Sequence, residues 1–122
     1  MKMKNHRDGK KYTLSEAQVL KACLDILAAK KLFHWRVNNI PVYDSAKQSW
    51  RAMPYGSMIG VPDIALIMPG GLYCGLEIKS SIGRMSKEQD TFKRDIEELG
   101  GVYMCIRNPS ELIQFLHDTF HL

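Results

Sequence analysis

Hydrophobic and polar residues recur along the chain in blocks that predict alternating helices and strands. Good helix formers fill residues 14–30, and Thr13 and Glu16 have the spacing of a capping box at the start of this segment. Bulky and aromatic residues then predict a short strand at 32–38. Residues 39–60 show no regular period, and a loop of that length inside a compact domain is usually functional or mobile.

Two apolar stretches in the middle of the chain predict a β-hairpin. Residues 64–68 and 72–79 form its two strands, and the sequence between them, Pro69-Gly70-Gly71, is typical of a turn. A three-residue loop centred on Gly70 would determine the register of the two strands. A shift of one residue would move every side chain of a strand to the opposite face of the sheet.

The C-terminal part predicts a helix, a strand and a last helix. The first of these helices ends at Gly100-Gly101, an apolar strand follows at 102–107, and Pro109 takes the favoured first position of the last helix. The two capping pairs are Ser86 with Gln89 and Asn108 with Glu111. The apolar residues of the last helix that should pack on the sheet are Leu112, Ile113, Phe115 and Leu116.

The order helix, strand, hairpin, helix, strand, helix predicts an α/β fold with a mixed β-sheet flanked by helices. The 122 residues suit one domain at 13–122, preceded by a basic flexible tail at 1–12. Residues 1–11 carry five basic side chains against one acid. A solvated tail is the favoured interpretation of this segment, ahead of an arm that grips phosphates.

Composition adds a charge preference and excludes two classes of protein. The net charge of +4 and the pI near 9.0 favour polyanionic partners without identifying one. No apolar run approaches the ~20 residues of a membrane span, and the polar N-terminus is not a secretory signal, so an intracellular protein without a membrane partner is expected. Cys23, Cys74 and Cys105 lie far apart in apolar stretches, which predicts buried thiols and no disulfide framework or zinc cluster.

The segment 60–79 contains the residues that predict chemistry. Glu77 and Lys79 share one strand face, and a loop centred on Gly70 places Asp63 opposite Glu77 with Cβ atoms about 5 Å apart. One Mg²⁺ or Mn²⁺ could bridge two such carboxylates, and Lys79 could orient water or stabilise charge on an attacked phosphodiester. The alternative is an ordinary ion pair of Glu77 with Lys79 on a solvated strand, with Asp63 starting a turn.

Glu16 has two open interpretations. Leu20, Cys23 and Leu27 follow it at helical spacing, so it belongs to the stripe that packs on the sheet. A carboxylate buried there needs a partner such as a metal or a lysine. The alternative is a capping role with Thr13, which leaves the carboxylate near the surface.

Together, Glu16, Asp63 and the Glu77-Ile78-Lys79 step resemble the PD-(D/E)XK nuclease superfamily. The detail is closer to its VRR-NUC branch, the virus-type replication-repair nucleases, and within that branch to the stand-alone form of bacteriophages and bacteria. The segments that carry the resemblance are HWRVNN at 34–39, GVPDIALI at 60–67, GLEIKSSIGRMSKEQDTF at 75–92 and the glycine-bounded strand before the last helix.

The resemblance implies a restriction-endonuclease-like fold and a Mg²⁺-dependent endonuclease, with Mn²⁺ as a possible substitute. The metal would be bound by Asp63, Glu77 and the backbone carbonyl of Ile78, with Glu16 contributing directly or through water. Gln89 matches the glutamine that these nucleases place on the helix after the strand that ends in the catalytic lysine. It also caps its own helix. The implied catalytic residues are Glu16, Asp63, Glu77, Lys79 and Gln89.

The stand-alone form acts as a homodimer on branched DNA such as four-way (Holliday) junctions, and the resemblance implies the same here, in the cytoplasm of a bacterium or a phage-infected cell. Two alternatives stay open: a sequence-specific or nonspecific DNA endonuclease on the same fold, and a non-catalytic DNA-binding module. The candidate DNA contacts are Arg36, Asn38, Arg51, Arg84 and Lys87.

Overall fold

Three helices and six short strands form in the parts of the chain that the structure, a computed structural model, describes: residues 13–37, 43–50 and 53–122. The tail predicted at 1–12 lies outside these residues. In chain order the elements are α1 (Glu16–Ala29), β1 (Phe33–Arg36), β2 (Tyr43–Asp44), β3 (Ser49–Trp50), β4 (Ile64–Met68), β5 (Leu72–Ile78), α2 (Lys87–Glu98), β6 (Val102–Ile106) and α3 (Pro109–Phe120).

Four of the strands form one mixed sheet in the order β1-β4-β5-β6. β1 and β4 are antiparallel, β4 and β5 are antiparallel, and β5 and β6 are parallel. The parallel pair needs a crossover, which α2 supplies. β2 and β3 pair separately as a two-stranded ribbon in the region where no regular element was predicted. The expectation of a mixed sheet flanked by helices is confirmed.

The hydrophobic core lies between one face of the sheet and helices α1 and α3. Alternate residues of the hairpin point into it, as the period of a strand requires. The fully buried stripe of α1 is Val19, Cys23 and Leu27, which follow one another at i+4 and so share one side of the helix. In the described parts of the chain, no helix has the length and apolarity that crossing a membrane would require.

Helix α2 covers the opposite face of the sheet. Its buried Phe92 contacts the ring of Tyr103 on β6, with centroids 5.9 Å apart. Its predicted cap is confirmed, because Ser86 and Gln89 form a reciprocal capping box. The capping box of α3, Asn108 with Glu111, is also confirmed.

The hairpin has the predicted register. Met68 pairs with Leu72 across a three-residue loop, and Ile64 pairs with Leu76 at the other end. Continuing this register by one residue places Asp63 opposite Glu77, as the sequence predicts.

Several predictions of local structure were wrong. The N-cap of α1 is Ser15, whose extended backbone and reciprocal hydrogen bonds with Gln18 exclude the predicted pair of Thr13 with Glu16. Ile113 is 48% exposed, since the buried side of α3 is the Leu112 and Leu116 stripe. Cys105 is only partly buried because it lies on an edge strand, whereas Cys23 and Cys74 are in the core as expected.

Candidate active site

Asp63 and Glu77 meet at the open end of the β4–β5 hairpin, with their carboxylates side by side. The backbone N–H of Ile78 donates a 2.7 Å hydrogen bond to Asp63 Oδ2. On its other side, the Asp63 carbonyl accepts a 2.8 Å hydrogen bond from the N–H of Val37. Asp63 is therefore held between the strands on both sides of β4, and its carboxylate is aimed at Glu77.

Glu77 is the one buried charged side chain in the described parts of the chain, with 4% of its surface exposed. Its Oε2 accepts a 2.9 Å hydrogen bond from Gln89 Nε2 and lies 3.5 Å from Lys79 Nζ. Its Oε1 is buried and has no hydrogen-bond partner among the described residues. Glu77 and Lys79 are therefore within ion-pair distance, as in the alternative interpretation, but Glu77 is buried and the pair does not lie on a solvated strand face.

Burial and, next to it in size, the neighbouring Asp63 carboxylate raise the pKa of Glu77 to about 7, against the opposing effect of Lys79. Two carboxylates in contact repel each other when both are ionised. The pair is therefore stabilised when one carboxylate binds a proton or when a cation lies beside both. A proton shared by the pair, or a cation beside it, would therefore relieve this repulsion at neutral pH.

Gln89 has both of the roles that its position allows. Its Oε1 accepts a 2.8 Å hydrogen bond from the backbone N–H of Ser86, which caps α2. Its Nε2 donates to Glu77, which links the start of the helix to the carboxylate pair. The cap fixes the side chain in the orientation that also reaches the site.

Two glycines allow the segment that leads into Asp63 to lie close against its neighbours. Gly60 has a φ of +85°, and a Cβ at this position would collide with the carbonyl oxygen of Glu88 at the start of α2. A Cβ on Gly75 would lie 2.7 Å from Cγ of Pro62, which is fully buried. Close packing of this kind restricts the conformations available to the backbone around Asp63.

Sequence reasoning missed two residues near the site. Arg107 donates from one guanidinium nitrogen to the carbonyls of Ser80 (2.6 Å) and Gly83 (2.5 Å), which anchors the loop that follows Lys79. Tyr103 is buried on the same sheet face as Glu77, and its hydroxyl has no hydrogen-bond partner among the described residues. Burial and the nearby carboxylates raise the pKa of Tyr103. No short motif marks either residue, since their partners are distant in sequence.

Glu16 is not brought into the carboxylate pair. It is exposed at the first position of α1, because the buried stripe of that helix begins at Val19. The expectation that Glu16 packs on the sheet is therefore wrong. Among residues 13–37, 43–50 and 53–122, no group of three or more His, Cys, Asp or Glu side chains is placed to hold a metal. A contribution of Glu16 through water stays a prediction.

The candidate DNA contacts are dispersed. Arg84 and Lys87 are exposed on either side of Ser86, between the end of β5 and the first turn of α2. Arg36 is exposed but pairs with Ile64, whose side chain is in the core, so it leaves the sheet on the face opposite to Asp63. Asn38 and Arg51 lie outside the described residues.

No family model, no curated protein and no solved structure matches this chain. What the site can do therefore follows from its own chemistry. Two adjacent carboxylates, one of them buried with an oxygen that has no hydrogen-bond partner among the described residues, are the kind of ligand that a hard divalent cation prefers. Lys79 Nζ, 3.5 Å from Glu77 Oε2, adds a positive charge beside this pair.

Proposed function

We propose that this protein is a divalent-metal-dependent endodeoxyribonuclease that hydrolyses phosphodiester bonds, preferentially in branched DNA such as four-way junctions. The observation that carries the proposal is the buried Glu77 carboxylate, which lies beside Asp63 and keeps Oε1 without a partner among the described residues. A buried unpaired acceptor costs roughly 1–3 kcal/mol or more when charged, so it is rarely retained without a use.

The residues present fit Mg²⁺ or Mn²⁺. Mg²⁺ is usually bound by one or two carboxylates and keeps several waters, so Asp63 and Glu77 suffice as protein side chains. The backbone carbonyl of Ile78 would add a ligand from the same strand, and Glu16 would contribute through water. Carboxylate and carbonyl oxygens select a hard cation over zinc or copper.

The chain's own residues have distinct roles in the proposed reaction. A bound Mg²⁺ supplies activation of a water and neutralisation of charge on the leaving oxygen. Lys79 orients the attacking water or stabilises the negative charge that develops on the phosphate. Gln89 holds Glu77 in the orientation that presents its carboxylate to Asp63. Asp63 is held in turn by the N–H of Ile78.

DNA as the substrate is supported by charge and by the resemblance. The chain carries a net charge of +4. Arg84 and Lys87 are exposed, Arg84 in the segment between β5 and α2 and Lys87 at the first position of α2. Contacts of these side chains with phosphates would give affinity without sequence preference. The preference for branched DNA, the homodimer, the restriction-endonuclease-like fold and a location inside a bacterium or phage-infected cell rest on the resemblance to the stand-alone VRR-NUC proteins.

The proposal is tested by cleavage of a labelled four-way junction and a linear duplex of the same sequence, with Mg²⁺ and with EDTA. We expect metal-dependent cutting of the junction that disappears in Lys79→Ala. Lys21→Ala is the matched control, because Lys21 is an exposed lysine on α1 that pairs with Asp25 away from the site. Its activity should equal that of the wild type.

The other outcomes of this experiment correct the proposal in defined ways. Equal cutting of the linear duplex would keep the nuclease and remove the preference for branches, in favour of a sequence-specific or nonspecific endonuclease. Tight binding without metal-dependent cutting of either substrate would contradict the enzyme and favour a non-catalytic DNA-binding module.

A further inference from the structure

Two large aromatic side chains are exposed on β1, the edge strand that pairs with β4. On β1, Phe33 is 71% exposed and Trp35 is 45% exposed. Their rings contact each other edge to face, with centroids 5.9 Å apart and an interplanar angle of 77°. The two rings are in contact and together form an aromatic surface that solvent reaches.

The register places this surface on the same side of the sheet as the site. Trp35 pairs with Ala65, and Asp63 lies two residues from Ala65 on the same strand face. Trp35 and Asp63 are thus diagonal neighbours, a relation that separates such residues by about 7–8 Å and keeps them within reach of an aromatic side chain. Phe33 lies one step farther along the same face, opposite Ile67.

The chemistry of this surface fits a nucleobase. Bases stack on aromatic side chains whatever their identity, because every base has a π-face. Arg36, the next residue on the strand, is exposed at the same sheet edge but on the opposite face, so it adds positive charge near this edge without belonging to the aromatic surface.

We propose that Trp35, in contact with Phe33, stacks on an exposed, unstacked face of a nucleobase in the DNA strand whose neighbouring phosphate lies at Asp63 and Glu77. The base faces of an intact duplex are covered by their own stacking, so this contact is available only at a branch point, a flap or a single strand. The inference rests on the proposed nuclease function and gives the preference for branched DNA a physical cause.

Binding is measured independently of cutting by the fluorescence of Trp35. The chain has two tryptophans, so Trp50→Phe leaves Trp35 as the single reporter. In EDTA, a single-stranded oligodeoxynucleotide and a four-way junction should quench this fluorescence, and a blunt duplex of the same length should quench it much less. No quenching by the single strand, or equal quenching by the blunt duplex, would overturn the proposal.

The contribution to selectivity is measured by steady-state cleavage with Mg²⁺. Trp35→Ala should raise KM for the junction roughly 5- to 150-fold, since stacking contributes about 1–3 kcal/mol per base, and should change kcat little. Trp35→Phe should restore most of the loss, which a merely structural role of the indole would not predict. Tyr55→Ala removes another fully exposed aromatic ring and should leave KM unchanged.

The two proposals fail in different ways. A wild-type protein that cuts no DNA, yet shows quenching of Trp35 by single strands, would contradict the nuclease and retain the base-stacking surface. A protein that cuts DNA with the same KM in Trp35→Ala would retain the nuclease and contradict the stacking. If Trp35→Ala instead turns a dimer into a monomer in sedimentation, the aromatic surface binds a second copy of the chain and the proposal is wrong.

Discussion

The two faces of β5 are both buried, but they are built from different side chains. On one face Cys74, Leu76 and Ile78 lie against α1 and α3 in the hydrophobic core. On the other face the buried positions are Gly75, under Pro62, and Glu77, under the first turn of α2. Residues one position apart in the same strand therefore experience opposite environments.

The difference separates what stabilises the protein from what its site can do. Burial of Leu76 removes apolar surface from water and favours folding. Burial of Glu77 removes a carboxylate from water and favours its neutral form, unless a cation compensates. Substitutions confined to one face should therefore separate the stability of the fold from the chemistry of the site.

The largest expected effect is on cleavage, from Glu77→Gln. The amide has the shape of the carboxyl but no charge for a metal, so the cleavage rate should fall by roughly three orders of magnitude. Mg²⁺ binding, followed by calorimetry, should be lost, while the metal-free protein at pH 8 becomes more stable because the buried charge is gone. Full activity in this variant would contradict the assigned site.

Leu76→Ala is the counterpart on the core face. Removal of a fully buried leucine should lower the free energy of unfolding by about 2–5 kcal/mol, measured by urea denaturation. The metal affinity of the molecules that stay folded should change little, since Leu76 faces away from Asp63 and Glu77. A decrease of less than about 1 kcal/mol in the free energy of unfolding would contradict the assignment of this face to the hydrophobic core.

The pH dependence of stability should report the buried carboxyl. Glu77 has a pKa of about 7 in the folded protein and 4.5 as its ordinary value, so the folded state binds the proton more tightly. In EDTA the protein should lose stability as pH rises from about 4.5 to 7, by at most about 3 kcal/mol from this group.

The urea concentration at the midpoint of unfolding should fall across this pH range for the wild type. For Glu77→Gln the part of this fall that comes from Glu77 should be absent. Adding Mg²⁺ should flatten the curve of the wild type, because metal binding requires the deprotonated carboxylate. Parallel curves for the two proteins without metal would contradict the raised pKa.

The smallest effects should separate the two roles of Gln89. Gln89→Glu keeps an oxygen to accept from the Ser86 N–H but replaces the donor to Glu77 by a second negative charge, so cleavage should fall at least about tenfold, the equivalent of roughly 1.4 kcal/mol for one hydrogen bond, and the metal-free protein should lose stability at pH 8. Ser86→Ala removes the cap alone and should cost about 0.5–2 kcal/mol of stability with cleavage preserved. Equal cleavage in both variants would show that the amide only caps the helix.

Local patterns predicted most of the elements in this fold. The loop Pro69-Gly70-Gly71 determined the hairpin register, and the capping residues Ser86 and Asn108 marked the starts of two helices. These features involve residues within a few positions of each other, so their physics is visible in the sequence. The start of α1 was missed because Thr13 with Glu16 and Ser15 with Gln18 both match a capping pattern, and backbone geometry selects the second.

The sequence by itself determined the strand alternation that puts Glu77 and Lys79 on one face, and the register that brings Asp63 opposite. Only the tertiary structure decided that Glu77 is buried, since this depends on α2 folding back over β5 and on Gln89 reaching the carboxylate. The tertiary structure also decided that Glu16 stays outside the carboxylate pair and that Trp35 lies beside this pair. Burial and long-range contacts depend on how elements pack, and the free energy of that packing is spread over the whole chain, beyond any short motif.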